Sequence, residues 1–460
     1  MNLYSKKLAA FIAFVVFSTN VTANVSGSEA AQLGMQGTPL TPLGAERAGN
    51  KEGTIPEWTG GITQPPAGYK VGTHHPDPFA DDKSLFEITS ANYQQYKDKL
   101  SPGQIALLEK YKTFKIVVYP TRRSASFPPR IYEAAMKNAL TAELTNNGEG
   151  VANTSESIPF PILDKDPVQA GYQAIWNHKL KFKAVSMVRW NNQATPTASG
   201  QYTLTRIREE IFSPYSKAGA TIKDVNNILL YFFQEVVSPA RLAGQILLIH
   251  EPIDAKAESR QAWVYNPGQR RVRLAPQVAY DNPGTASDAL RTNDMSDMFN
   301  GAMDRFDWKL VGKREMYIPY NAYKAHSDKV TDKDLLKPGH LNPDLLRYEL
   351  HRVWVVEAKL KEGQRHINNR RTFYLDEDSW QIVMADHYDN QGKLWRYSEE
   401  PCVNYYEVPV LWSTLEVHYD LKSGRYLAQG LDNQETVNDY NFQTTPGNFS
   451  PQSLRQRGIQ

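Results

Sequence analysis

The sequence predicts an α+β protein built on an extended, mostly antiparallel sheet with helices packed against one side. Three observations carry that expectation. Apolar residues recur at helical spacing until about residue 183, and from about Ala184 onward the period is two. The stretch Ala262 to Leu274 reads as a hairpin. Tyrosine followed by Asp or Asn stands before a glycine-containing turn at Tyr265-Asn266, Tyr388-Asp389 and Tyr419-Asp420, ahead of Gly268, Gly392 and Gly424.

In the hairpin, Asn266-Pro267-Gly268-Gln269 has the composition of a type II turn, with Pro267 setting φ and Gly268 supplying a positive φ. Tyr265 is then expected opposite Arg270, and Trp263 opposite Val272. Trp263, Tyr265, Val272 and Leu274 fall on one face, Arg271 and Arg273 on the other. A half-buried sheet with solvated arginines accounts for this pattern, and so does a wall for a ligand.

Three helices precede the strands. Ser101-Pro102 opens one, with Ile105, Leu108 and Tyr111 at helical spacing. A second runs from Pro129 to Leu144. A third starts at Asp166-Pro167 and carries an apolar stripe of Val168, Gly171, Tyr172, Ile175, Trp176 and Leu180. Strands are expected over 186–190, 201–212, 227–237, 242–250, 308–317, 348–360, 372–375 and 380–388. Their intervals are unequal, which argues for a meander rather than a propeller.

Residues 1–23 read as a signal peptide: Lys6 and Lys7 precede the apolar run Leu8 to Phe17, and Val21-Thr22-Ala23 offers small residues for cleavage. With Cys402 the only cysteine, a lipid anchor at the cleavage site, a disulfide within the chain and a cysteine-type zinc site are not expected. The expected location is the periplasm, with no transmembrane segment in the mature chain. Residues 24–80 form a Gly- and Pro-rich arm pinned by Trp58 and Tyr69, residues 81–183 a helical segment covering the sheet, residues 184–440 the sheet, and residues 441–460 a flexible tail.

Composition excludes some partners. Lys and Arg number 52 against 50 Asp and Glu, so nothing points to nucleic acid. The 25 Tyr, 17 Phe and 9 Trp suit β-structure, sugar stacking or an apolar ligand wall. Catalytic motifs for a nucleophile elbow, a zincin, a P-loop or a dinucleotide fold are missing, so no enzyme, cofactor or metal is expected. His74-His75 has ligand chemistry but no paired spacing, and Asp376-Glu377-Asp378 reads as a solvated turn rather than a calcium loop. Glu209-Glu210, Asp386-His387 and Glu399-Glu400 are adjacent on strands, which sends each pair to opposite faces. Cys402 reads as a quiet thiol.

Longer motifs carry a resemblance. Gly44-Ala45-Glu46-Arg47-Ala48-Gly49-Asn50, Gly53-Thr54-Ile55-Pro56-Glu57-Trp58-Thr59-Gly60-Gly61, Trp263-Val264-Tyr265-Asn266-Pro267, His351-Arg352-Val353-Trp354, and Phe373-Tyr374-Leu375-Asp376-Glu377-Asp378-Ser379-Trp380 resemble a family of exported bacterial proteins catalogued as a domain of unknown function. That family looks related to outer-membrane lipoprotein-sorting proteins of the LolA/LolB kind. The resemblance implies a large curved antiparallel sheet, an incomplete half-open barrel with helices in or over its concave face, and a cavity that receives acyl chains. It further implies a periplasmic carrier or chaperone for a hydrophobic, lipid-like or acylated cargo, with a resistance-nodulation-division (RND) type pump as partner. Trp263, Tyr265, Trp354, Trp380 and Ile382 are the candidates for the lining, and Arg271, Arg273, Arg370 and Arg371 for contact with a headgroup or partner. A secreted carbohydrate-active hydrolase or sugar-binding module is the alternative that the aromatic content and export leave open.

Overall fold

The computed structural model describes residues 25–275 and 280–459. The signal-peptide reading therefore falls outside the described residues. Sheet dominates, as expected, and it does not close into a barrel. It is, however, divided in two. The larger sheet has ten strands, in the order Phe86–Ile88, Ile116–Val118, Tyr348–Leu360, Arg370–Asp376, Ile382–Tyr388, Leu394–Glu399, Glu416–Asp420, Tyr426–Gln429 and Gln193–Ala194, with Phe306–Pro319 also paired to Tyr348–Leu360. The smaller sheet orders Arg271–Leu274, Gln261–Asn266, Ile246–Pro252, Ile228–Ser238, Arg206–Phe212 and Ser186–Trp190, all antiparallel. The chain passes from one sheet to the other between Trp190 and Gln193, and this short stretch is the corner they share.

Helices cover both faces of the large sheet, not one. The helix Pro167–Leu180 packs with Phe373, Leu375, Trp380 and Ile382, while Pro102–Lys110 packs its Leu107 and Leu108 with Tyr374, Val383, Met384 and Tyr397 on the opposite face. The strand Ile382–Tyr388 is consequently buried along its whole length. The helix Pro167–Leu180 is also more enclosed than its apolar stripe suggested: every residue from Ala170 to Leu180 is buried, whereas Val168 is exposed. Gly171 is the point of closest approach, since a Cβ there would lie 2.7 Å from the backbone nitrogen of Lys309.

The hairpin around Pro267 keeps its faces but shifts its register. Tyr265 pairs with Val272 and Trp263 with Leu274, two residues from the expected partners. A two-residue shift preserves sidedness, because side chains alternate with a period of two. The positive φ falls on Arg270, not Gly268, while Asn266 Oδ1 still accepts from the Gly268 N–H at 2.9 Å. At the other two recurrences the glycines do take positive φ, 73° at both Gly392 and Gly424.

The arm and the tail are both tied down. Trp58 is buried in the main core beside Tyr132, and Gly44, at φ 87°, lies so close to the Pro161 carbonyl that no side chain fits. Where the sequence reading has a flexible tail over 441–460, the helix Pro451–Ile459 instead lies on the small sheet, with Phe449 and Leu454 packed against Phe212, Phe233 and Leu248.

Gly171→Val is expected to lower the unfolding free energy by about 1–3 kcal/mol, because the added atoms meet backbone that cannot yield. Gly27→Ala, at a position with open space around it, should leave the urea midpoint close to that of the natural chain.

Candidate ligand-binding site

Alternation along the small sheet sets up the site. Phe212, Phe233, Ile246 and Leu248 point to one face and are buried under the C-terminal segment. Ile211, Leu230, Phe232, Leu247 and Ile249 point to the other face and are only half-buried. Ile211, Phe232, Ile249 and Ala262 are direct cross-strand neighbours, so they form one apolar row across four strands. Over this row lies a hollow of about 120 Å³, within about 1130 Å³ of atom-free space that runs out to solvent.

The rest of the wall is polar. The chain leaving the helix Pro167–Leu180 contributes Lys181 and Lys183, the loop 285–300 contributes Arg291 and Asp297, and the large-sheet side contributes Trp412, Glu416 and Gln429. Lys183 is hydrogen-bonded to Asp297, and Lys181 Nζ stands 3.6 Å from the same carboxylate. Burial pushes the Lys181 ammonium down to about 7, against the pull of Asp297. Burial works to raise Asp297 too, but Lys181 and Lys183 prevail and hold it well below the usual carboxylate range. Arg189 donates to Glu209 at 2.8 Å and stacks on Trp412, and Arg260 donates to Glu251 at 2.6 Å. The hollow thus has an apolar floor and a charged roof, where the sequence suggested an apolar interior throughout.

The residues singled out from sequence lie elsewhere. Trp263 and Tyr265 are on the face of the small sheet turned away from the hollow, packed with the C-terminal segment. Trp354 and Trp380 stack on each other 6.1 Å apart, and Trp380 and Ile382 are wholly buried in the core between the large sheet and the helix Pro167–Leu180. Among the arginines, Arg371 is fully buried, donating to Asp294 at 2.6 Å amid Phe299, Phe306 and Phe373, so it cannot meet a headgroup. Arg370 pairs with Glu357 at 3.1 Å and lies over Tyr388. Arg271 and Arg273 are exposed on the outer hairpin, on the same face as the apolar row but beyond the hollow. Sequence reasoning missed the floor because Ile211, Leu230, Phe232, Leu247 and Ile249 look like any strand interior. The available signal was the alternation itself, which gives strands 228–238 and 246–252 two apolar faces instead of one.

A family model for Protein of unknown function (DUF1329) matches residues 87–455. The chain is a DUF1329 protein. An uncharacterized protein of Pseudomonas aeruginosa is 47% identical to it over 450 residues, 97% of each chain. Among solved structures, a DUF1329 family protein from Desulfovibrio piger is similar at 14% identity and a TM-score of 0.42, over 63% of this chain and 100% of that one. A LolA superfamily protein from Nitrosomonas europaea is similar at 13% identity and a TM-score of 0.35, over 59% of this chain and 93% of that one.

The arm motif, Arg352 of the motif 351–354 and the turn motif of this DUF1329 protein serve one joint. The turn Asp376 to Trp380 is buried, not solvated. Asp378 receives two bonds from Arg123, at 2.9 and 2.6 Å, while Glu377 pairs with Arg352 and Lys313. Arg123 also donates to the Glu46 carbonyl, Arg352 to that of Ala48, and Trp380 Nε1 to that of Leu43. The arm motif 44–50 is thereby locked over the turn motif 373–380. Ligand atoms of His351, Asp376 and Asp378 lie within 4.8 Å of one another, but Asp378 is already saturated by a guanidinium. His75 is bonded through both ring nitrogens, to His326 at 3.0 Å and Glu407 at 2.9 Å.

The adjacent acidic pairs diverge as alternation requires. Glu209 faces the hollow and Glu210 meets Arg208 and Arg457. Glu399 accepts from Tyr348, Tyr397 and Tyr419, whereas Glu400 meets Gln381. Asp386 accepts from Tyr374 and the Gly103 N–H at the start of the helix Pro102–Lys110, while His387 bonds Ser398. The Cys402 thiol is buried and pushed well above its usual value.

Arg123→Met should destabilise the protein by about 3–5 kcal/mol in chemical denaturation, since it strands Asp378 without its partner. Burial pushes Asp386 up to about 7, so the folded chain keeps a proton that the unfolded chain releases near 3.9. Stability carried by this group is present below about 4 and is lost as pH rises to about 7. Asp386→Asn is expected to flatten that part of the stability–pH curve.

Proposed function

We propose that this DUF1329 protein is a periplasmic carrier or chaperone that holds a hydrophobic, lipid-like or acylated cargo against the inner face of its small sheet. The observation that supports the reading is the unequal coverage of that sheet: Phe212, Phe233, Ile246 and Leu248 on one face are buried, while Ile211, Leu230, Phe232, Leu247 and Ile249 on the other are half-buried beside a hollow. Each methylene such a row shields is worth about 0.8 kcal/mol, so a slender alkyl chain laid along it gains several kcal/mol. Binding, not turnover, is the activity this arrangement suits. Glu209, Glu251 and Asp297, three carboxylates of the wall, are held by Arg189, Arg260 and Lys183 and so are not poised to exchange protons with a substrate.

The apparent signal peptide is what supports export, and among the described residues no helix is long and apolar enough to cross a membrane. Transfer of the cargo to or from an RND-type pump is a further part of the proposal, resting on the family resemblance. Exposed Arg271 and Arg273 on the outer hairpin are the side chains we assign to contact with such a partner.

Protein purified from the periplasm is expected to carry a co-extracted lipid-like mass in native mass spectrometry, and stripping it should lower Tm by mass action. Phe232→Asp, which places a charge in the apolar row, should abolish the bound mass. A natural chain that is ligand-free and shows no Tm response to any added alkyl compound would overturn the carrier reading.

A further inference from the structure

Four buried side chains around the hollow each have a polar atom that makes no hydrogen bond among the described residues: Lys181 Nζ, Arg291 Nε, Gln234 Oε1 and Gln429 Oε1. Buried polar groups are ordinarily satisfied, because one left unbonded has given up its water without a replacement. Here they come from four separate segments, and all four residues line the same hollow. Two are cationic donors, and the balance of charge around them is uneven.

The wall holds six basic side chains, Lys179, Lys181, Lys183, Arg189, Arg260 and Arg291, against four carboxylates. Arg189 is taken up by Glu209, Arg260 by Glu251 and Lys183 by Asp297. Glu416 accepts from His418 at 2.9 Å and from the Asp297 N–H at 3.1 Å. Lys179 donates to the Gly301 carbonyl at 2.7 Å. That leaves Lys181, 3.6 Å from the shared Asp297, and Arg291, whose Nη1 donates only to the neutral Ser296 hydroxyl at 2.6 Å. With Asp297 shared between Lys181 and Lys183, and Glu416 the nearest counter-charge to Arg291, the wall still holds two more basic side chains than carboxylates over an apolar row.

We infer that Lys181 and Arg291 seat the anionic headgroup, a phosphate or carboxylate, of an amphiphile whose alkyl tail lies along Ile211, Phe232 and Ile249. The inference rests on the carrier reading and adds the chemical class of the cargo. Bound there, the anion meets Lys181 Nζ and Arg291 Nε, and a ligand hydroxyl or the protonated acid form can reach Gln234 Oε1 or Gln429 Oε1. A neutral headgroup can hydrogen-bond these atoms but brings no charge to set against the two excess cations. Burial lowers both Lys181, to about 7, and Arg291, and outweighs the pull of Asp297 on the first and of Glu416 on the second.

The test titrates the stripped full-length protein calorimetrically with dodecyl phosphate, dodecanoate, dodecanol and inorganic phosphate. Both anionic amphiphiles are expected to bind about tenfold or more tighter than dodecanol, the difference that one charged hydrogen bond commonly makes. Lys181→Met should erase most of that advantage, and Arg291→Met provides a second variant should the first fail to fold. Dodecanol binding as tightly as the two anions overturns the headgroup seat and leaves the carrier reading standing. Inorganic phosphate matching dodecyl phosphate, with dodecanol inert, overturns the amphiphile in favour of a small-anion site. If no alkyl compound binds at all, the carrier reading falls and this inference with it.

Discussion

A sheet has two faces, and any apolar face must be covered by protein or by something else. The large sheet of this protein is covered on both sides, by the helix Pro167–Leu180 on one and Pro102–Lys110 on the other, and its strand Ile382–Tyr388 is buried end to end. The small sheet carries apolar residues on both faces as well, and the buried cluster of Phe212, Phe233, Ile246 and Leu248 lies on its outer face, under Phe449 and the helix Pro451–Ile459. The inner face is left half-covered beneath a roof of charged side chains. The hollow, its mixed chemistry and the functional reading all descend from that asymmetry.

The rigid part of the molecule is equally specific in its physics. The buried turn Asp376 to Trp380 places three acidic side chains in the interior, and each is met by a partner: Asp378 by Arg123, Glu377 by Arg352 and Lys313, and Asp376 by hydroxyls of Ser379 and Tyr320. Those same arginines reach on to backbone carbonyls of the arm. Buried charge that is paired, as at Asp378 and Glu377, specifies geometry even where it adds little net stability. The arm motif 44–50 and the turn motif 373–380, read as landmarks in the chain, are thus two halves of one structural clamp, and none of their residues lines the hollow.

That separation explains which expectations held. Candidate residues such as Trp354, Trp380 and Arg371 are conspicuous because they are large or charged, and their prominence reflects close packing: Trp354 against Trp380, and Arg371 inside an aromatic cage facing Asp294. Trp263 and Tyr265 were assigned to the correct face of their hairpin, yet nothing in the local pattern says that this face meets the C-terminal helix. The residues of the floor are ordinary Ile, Leu and Phe, indistinguishable from core until their partial exposure is known. Lys181 and Arg291 lie in segments whose significance appears only once the loop 285–300 folds over the small sheet.

The amino-acid sequence alone determined the three helices with their proline starts, the main strands of period two between Ser186 and Tyr388 and the sidedness of each, since alternation is a property of the local backbone, but not the strands between Leu394 and Gln429 or the helix Pro451–Ile459. It also determined that adjacent acids such as Asp386 and the neighbouring His387 would part company. Only the tertiary structure decided that the sheet splits at the corner between Trp190 and Gln193, that both faces of its larger part are covered, and that a single face of the smaller part stays open. Coverage depends on contacts between residues hundreds of positions apart, such as Phe233 with Leu454 or Arg123 with Asp378, and local patterning carries no information about which distant segment arrives.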